Sequence, residues 1–371
     1  TPPELDEAGA QVYRAAAGCL LAAYARVHDA MLEALREALP RPKDMKPGAY
    51  ERNLRARAFD VARYLLFWGI RTGVGQVTSI RTLEKQIRRM KASEYGECRE
   101  LAAEIAEACS RPPDCAWDEA AAGEPMSPTL ARHVAADAFS ARARADLRQW
   151  AAQNLPARFG GAPEDVDLVR ADHAAADIVA TLLYPVTDRP FRELYEMAAA
   201  WSPARRAEVL DLAVGGRTRR DEILRAFRGG PYVYDIVMDI GAYRDLHRHR
   251  RCHQFRQDYA GALGYAVPPS LDGTGLEAEY RAAVEQAMET MRRLAAPAAH
   301  YLLPFAARNR FLFKMDFAEA EYISRLRSGV KGHFSYREVA WKLKRKMDEV
   351  EPELGRLIEA TPPWVEDPLR R

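Results

Sequence analysis

The chain of 371 residues (41.7 kDa) carries 55 basic and 53 acidic side chains, a net charge of +2, 48% hydrophobic and 29% charged residues. These values fit a globular protein of two or three domains at roughly 100–200 residues each and exclude a polyelectrolyte, so any phosphate-binding surface must lie in local clusters. The longest strictly apolar stretch, Ala15 to Ala25, is about eleven residues against the roughly 20 of a membrane helix.

The first residues, Thr-Pro-Pro-Glu-Leu-Asp-Glu, are acidic and unlike a secretory signal. Thr1 in place of Met points to processing, a chain boundary or a missing upstream segment. Val12, Ala16, Leu20, Ala23 and Val27, then Val61, Tyr64, Leu65 and Trp68, recur at helical spacing and predict buried stripes on Ala/Arg-rich helices. Pro40-Arg41-Pro42, Pro112-Pro113, Glu124-Pro125, Gly160-Gly161 and Gly215-Gly216 break them, and Gly73-Val74-Gly75 reads as another break. Ser202 before Pro203 predicts a capped helix running to about Leu212. After Gly229-Gly230-Pro231, the β-branched and aromatic run Tyr232 to Met238 predicts a strand, followed by a basic helix from near Gly241 through Tyr243 to Arg250. The five cysteines, Cys19, Cys98, Cys109, Cys115 and Cys252, contain no C-x-x-C pair, which argues against a disulfide framework or a thiolate zinc site and for a reducing, cytoplasmic setting.

An internal repeat is expected. Arg63-Tyr64-Leu65-Leu66-Phe67 recurs as His300-Tyr301-Leu302-Leu303-Pro304, a shift of 237 (301 less 64). Val12 to Ala16 matches Glu279 to Ala283, and Cys98 to Ala102 matches Tyr336 to Ala340. The expected organisation is 1–127 as the helical portion of a first, incomplete repeat and 128–371 as a second. In the latter an α+β core spans about 165–265 and a helical region about 275–352.

Arg248-His249-Arg250-Arg251-Cys252-His253, with Arg244 and Arg256 nearby, concentrates guanidiniums, whose planar forks suit phosphate oxygens. A solvated basic face paired with Asp245 and Asp258 is the plainer reading. His249 and His253 have the i, i+4 spacing of metal ligands, but the arginines around them would repel a cation, and no metal is expected. No P-loop or G-x-S-x-G is visible.

The segment Tyr243 to Arg250 resembles the signature of flavin-dependent thymidylate synthases (thymidylate synthase complementing proteins), Arg-Gln-x-x-Arg-His-Arg after a strand. Phe317 to Arg327 and Gly332 to Ala340 resemble that family's second region, Asn-x-Arg-Ser-Leu-x-Asn-Phe-x-x-Leu-Arg and Ala-Gln-x-Glu-Ile-Arg-x-Leu-Ala. The resemblance covers roughly 166–347; residues 80–102 resemble the second region alone. It implies an α+β, mostly helical fold with a small antiparallel or mixed sheet and a helical bundle, and a homo-oligomer, a dimer of duplicated chains resembling a tetramer. It also implies a cytoplasmic enzyme that methylates dUMP with methylenetetrahydrofolate, with FAD reduced by NADPH as hydride donor and no membrane or nucleic-acid partner. By the same resemblance Arg248, His249 and Arg250 hold flavin and nucleotide phosphates, and Arg244 and Arg256 bind substrate. Arg327 faces the pyrimidine as the catalytic arginine, and Arg81, with Ser79 where Asn is usual, approaches the flavin. The sequence departs from the pattern at Asp245, His253, Phe255, Asp258, Ala260, Asp316, Ala318 and Met90, and the expected His-x-x-Pro-Phe-Glu-His-like run reads Arg225 to Gly230. A non-catalytic homologue binding nucleotide, flavin or nucleic acid, and an unrelated helical scaffold, are the alternatives.

Overall fold

The computed structural model describes residues 1–113, 123–127, 133–155, 164–218, 221–259, 261–367 and 369; Cys115, Gly160-Gly161 and Ala260 lie outside them. The described chain forms two compact units that interleave along the sequence. The first comprises Thr1–Cys19, Phe67–Gly161 and Gln286–Leu303, and the second Leu20–Leu66, Ala162–Glu285 and Pro304–Arg371.

The long helix α1 (Glu7–Ala38) and α2 (Pro47–Ala62) follow the expected periodicity. Ala16, Leu20, Ala23, Val27, Val61, Tyr64 and Leu65 are buried, whereas Val12 and Trp68 are exposed and Tyr13 takes the inward position beside Val12. In the first unit, α3 (Ile80–Lys91) and α4 (Gly96–Ser110) pack around Ile87, Ala102 and Cys109. Residues 70–79, containing Gly73-Val74-Gly75, have no regular structure. α5 (Ala138–Asn154) begins at Asp137, whose side chain accepts from Ser140 N–H.

The second unit is built on a four-stranded antiparallel sheet in the order β1 (Val166–Arg170), β2 (Tyr232–Asp239), β4 (Arg308–Met315), β3 (His253–Arg256). β2 pairs with β4 along its whole length, Tyr232 with Met315 through Asp239 with Arg308. Alternation sends Tyr232, Tyr234 and Ile236 to one buried face, where they meet Phe311, Phe313 and Met315 in the core. The same unit holds α6 (Ala175–Leu183), α7 (Phe191–Ala200), α8 (Pro203–Val214), α11 (Phe317–Arg327), α12 (Phe334–Val350) and the single turn α13 (Pro352–Gly355), while α10 (Glu277–Arg293) divides between the two units after Glu285. Ser202 caps α8 as expected, its hydroxyl accepting from Arg205 N–H. The fold is the mostly helical α+β one that the resemblance implies.

The segments at the 237-residue shift follow the same local course. Arg63–Leu65 and Ala298–Leu302 are both 3-10 turns. In the first unit Trp68 N–H donates to Leu303 O (3.2 Å) and Gly69 N–H to Tyr301 O (2.6 Å). In the second, Phe305 N–H donates to Leu66 O (2.8 Å) and Ala306 N–H to Tyr64 O (3.1 Å). Each bond of one pair maps onto the other when 237 is added to or removed from both partners.

Candidate functional site

β2 ends at Asp239, which starts α9 (Ile240–Leu246): its carboxylate accepts from Ala242 N–H at 2.7 Å. The basic helix expected to reach Arg250 stops at Leu246 instead. Two causes are visible. The chain must reverse within six residues to pair His253 of β3 with Lys314 of β4, and the like-charged i, i+3 pair Arg248 and Arg251 disfavours another helical turn. Arg248 to Cys252 therefore form a turn, and His249 and His253 do not share a helix face as their spacing suggested.

The turn drives His249 inward. The residue is 5% exposed, its Nδ1 lies 3.1 Å from Glu319 Oε1, and Nε2 accepts a hydrogen bond from Arg327 Nε at 2.9 Å. A guanidinium can only donate, so Nε2 carries no hydrogen, and Nδ1 must carry the one that reaches the carboxylate. His249 is thus a neutral imidazole clamped between a buried acid and Arg327. Both partners come from α11, whose N-cap Asp316 accepts from Glu319 N–H (2.8 Å) and from Arg251 Nη2 (2.7 Å). Tyr322 meets the His249 ring edge-on at 5.6 Å, and the Arg327 guanidinium lies 5.7 Å from the Tyr336 ring. Beside this cluster opens a cavity of about 230 Å³ lined by Arg217, Arg228, Arg251, Glu319, Tyr322 and Arg325, among others. Arg217 grips the buried Glu321 with two hydrogen bonds of 3.1 and 3.2 Å, and Arg325 adds one of 2.9 Å.

A second cluster forms around Asp245, which pairs with Arg63 at 3.0 Å and Arg248 at 3.4 Å. Arg244 lies over the Phe305 ring at 4.3 Å; burial first, and then the neighbouring Arg63, lower its pKa. Arg250 is exposed in the turn, and Arg256 sits on the edge strand β3 with its guanidinium 4.4 Å from the Tyr259 ring. The structure therefore joins His249 to Arg327 directly and gathers Arg244 and Arg248 at Asp245, while Arg256 lies apart from these contacts. Ser79 and Arg81 belong to the first unit: the Ser79 hydroxyl caps α3, accepting from Thr82 N–H at 3.3 Å, and Arg81 is exposed in the first turn. Cys252 is buried, and burial, with the Glu319 charge, pushes its thiol up to about 12, so it stays protonated.

Glu319, Glu321 and Arg63 were not singled out as site residues by sequence, and Arg251 was named only as one of the arginine cluster. Glu319 and Glu321 carried a usable signal: two acids on a predicted helix that faces an arginine-rich segment.

Residues 217–353 match the family model of the thymidylate synthase complementing protein. The chain is 27% identical over 319 residues to the UPF0159 protein of Chlamydia muridarum, covering 84% of this chain and 59% of that protein. It is 28% identical to the UPF0159 proteins of Chlamydia pneumoniae (84% and 59%) and Thermoplasma acidophilum (84% and 60%). It thus spans about three fifths of the length of the curated relatives it matches. The matched region, well under half of the chain, holds β2, the arginine turn and α11, the elements that bring His249 to Arg327, and over it this chain is similar to the thymidylate synthase complementing protein family.

Proposed function

We propose that this chain is a flavin-dependent thymidylate synthase-like enzyme that converts dUMP, or a related uracil nucleotide, to dTMP with methylenetetrahydrofolate as one-carbon donor. One observation carries the reading. The arginine turn after β2 and the arginine ending α11, 78 residues apart, meet through the 2.9 Å contact of His249 and Arg327. A nucleotide site of this kind needs fixed cationic groups where negative charge resides or develops, and guanidiniums held by neighbours supply them without reorganising.

The donor set fits a phosphorylated flavin in part: Arg248 and Arg250 are exposed and able to hold phosphates, while Asp245 offsets some of the charge on Arg248. Ser79 and Arg81 carry the flavin-contact assignment of the resemblance. Bound FAD, reduced by NADPH, would supply the hydride. For the nucleotide, Arg244, Arg248 and Arg256 are the phosphate-binding candidates. Arg327, its Nε engaged by His249, offers its remaining N–H groups to the pyrimidine. The buried Cys252 thiol has no part in the reaction. Assembly into a homo-oligomer belongs to the same proposal.

The test is spectroscopic. The purified protein reconstituted with FAD should show flavin bands that bleach on adding NADPH, and should then convert dUMP to dTMP. A protein that FAD cannot colour and that leaves dUMP untouched overturns the reading. A second reading, a non-catalytic nucleotide binder, is favoured by the acidic partners at positions where the family pattern has none: Asp245 on Arg63 and Arg248, and Asp316 on Arg251. It predicts nucleotide binding with no flavin dependence and no turnover.

A further inference from the structure

Glu319 stands where the second-region pattern of the family has serine, and it is among the most deeply buried acids of the second unit, 4% exposed. Its surroundings explain how a carboxylate is tolerated there. Oε1 faces His249 Nδ1 at 3.1 Å, Arg251 Nη1 lies 3.9 Å from Oε2, and the guanidinium of Arg251 is itself tied to Asp316 at 2.7 Å. Ala318 occupies the neighbouring position where the pattern has arginine, so Arg251, from the turn after α9, brings a guanidinium to this end of α11. The acid, the imidazole and the distal arginine lie in a line of two hydrogen bonds, and His249 offers the right atom at each end only in one tautomer.

We infer that Glu319 is a positioning residue of this chain: by holding the hydrogen of His249 on Nδ1 it keeps Nε2 an acceptor and so fixes Arg327 for a uracil nucleotide. The proposal rests on the nucleotide reading above only in its last step. Without an acceptor at Nδ1, the imidazole is free to carry its hydrogen on Nε2, where it would point at the Arg327 Nε–H. Two donors cannot share that contact, and Arg327 would swing away from His249. Among the described residues Arg327 makes no hydrogen bond other than the one to His249, so no second contact of that kind holds it in place.

A serine hydroxyl at 319 is too short to span the gap that the glutamate fills, while a glutamine can still present a carbonyl oxygen to Nδ1–H. These two substitutions separate orientation from charge. The measurement is the side-chain ¹⁵N spectrum of His249 in ¹⁵N-labelled protein, assigned by its loss in His249→Gln, together with the affinity for dUMP by calorimetry. The parent and Glu319→Gln should show an unprotonated Nε2 and a protonated Nδ1, with dUMP affinities within about threefold of each other. Glu319→Ser should lose that signature and bind dUMP about tenfold or more weakly, with its circular dichroism unchanged. An unchanged His249 spectrum in Glu319→Ser overturns the proposal. So does an equal loss of affinity in both variants with the tautomer intact. If the parent binds no dUMP yet the tautomer is lost in Glu319→Ser and kept in Glu319→Gln, the nucleotide reading fails while the relay from Glu319 to Arg327 is supported.

Discussion

Residues 71–78 and 308–315, separated by 237 positions, begin alike and end differently. Both open on an arginine, both follow a segment that contains a 3-10 turn, and both lead into a helix capped by a short polar side chain, Ser79 for α3 and Asp316 for α11. The later segment is β4, hydrogen-bonded on one side to β2 and on the other to β3. The earlier one has no regular structure, and its Val74 and Val77 stand in solvent, 83% and 105% exposed. The side chains account for part of this: Phe311, Leu312 and Phe313 in β4 are matched by Val74, Gly75 and Gln76, and glycine both weakens a strand and gives it nothing to pack. The rest is context, because a strand needs a neighbour to satisfy its backbone. We propose that the two are copies of one element, of which only the later is paired in a sheet among the described residues.

The sharpest way to break that comparison is to shorten matched side chains. Phe311 is fully buried and stacks on Tyr243 with ring centroids 4.0 Å apart, so Phe311→Ala should cost about 3–5 kcal/mol in urea unfolding. Val74→Ala, at the matching position, should fall within about 0.5 kcal/mol of the parent. A comparable loss at both sites would mean that segment 71–78 is packed after all. The caps give the next effect. Asp316 holds both the start of α11 and Arg251, so Asp316→Ala should cost about 2 kcal/mol, against about 0.5–1 kcal/mol for Ser79→Ala, which removes a cap alone. Equal losses would show that Arg251 adds nothing. In binding, Arg327→Ala should weaken dUMP about tenfold, roughly 1.4 kcal/mol, whereas Met90→Ala, at the matching position, should leave affinity unchanged in calorimetry. An effect at Met90 would place part of the nucleotide site on α3.

The same contrast shows what the sequence could and could not reveal. β2 was legible because six of the seven positions from Tyr232 to Met238 are β-branched, aromatic or apolar, Asp235 being the exception, and α8 was legible from Ser202-Pro203. Helix α9 was overextended because the arginines and leucine of the segment are good helix residues. What ends it is the non-local demand that β3 reach β4 and that His249 reach Glu319, some 70 residues away. Val12 and Trp68 were assigned inward on spacing alone, and a shift of one residue to Tyr13 corrects the first. At the site, the arginines were visible by composition and by resemblance. Of the acids that hold them, Asp245 was visible as a near neighbour of Arg248, whereas Glu319 and Glu321 meet their arginines and His249 only once folding closes gaps of some 70 to 104 residues.

The smallest effect concerns how the sheet-bearing region is locked. Asp239 is wholly buried at the junction of β2 and α9. Besides capping the helix it accepts from Tyr64 Oη at 2.7 Å and from the Ser335 hydroxyl on α12. Burial raises its pKa above the ordinary 3.8, although these three donors and Arg63 oppose the shift. The folded protein therefore holds this proton more tightly than the unfolded chain does. Its contribution to stability is complete below pH 3.8 and is lost as pH rises toward the folded-state value. Asparagine at this position keeps a capping oxygen but does not titrate. The unfolding free energy of the parent minus that of Asp239→Asn, measured by urea titration from pH 4 upward, should fall with rising pH by no more than about 1.4 kcal/mol per unit and then level off. A difference that rises with pH would mean that the three donors outweigh burial, and that the carboxylate is held ionised at the point where β2 hands the chain to the arginine turn.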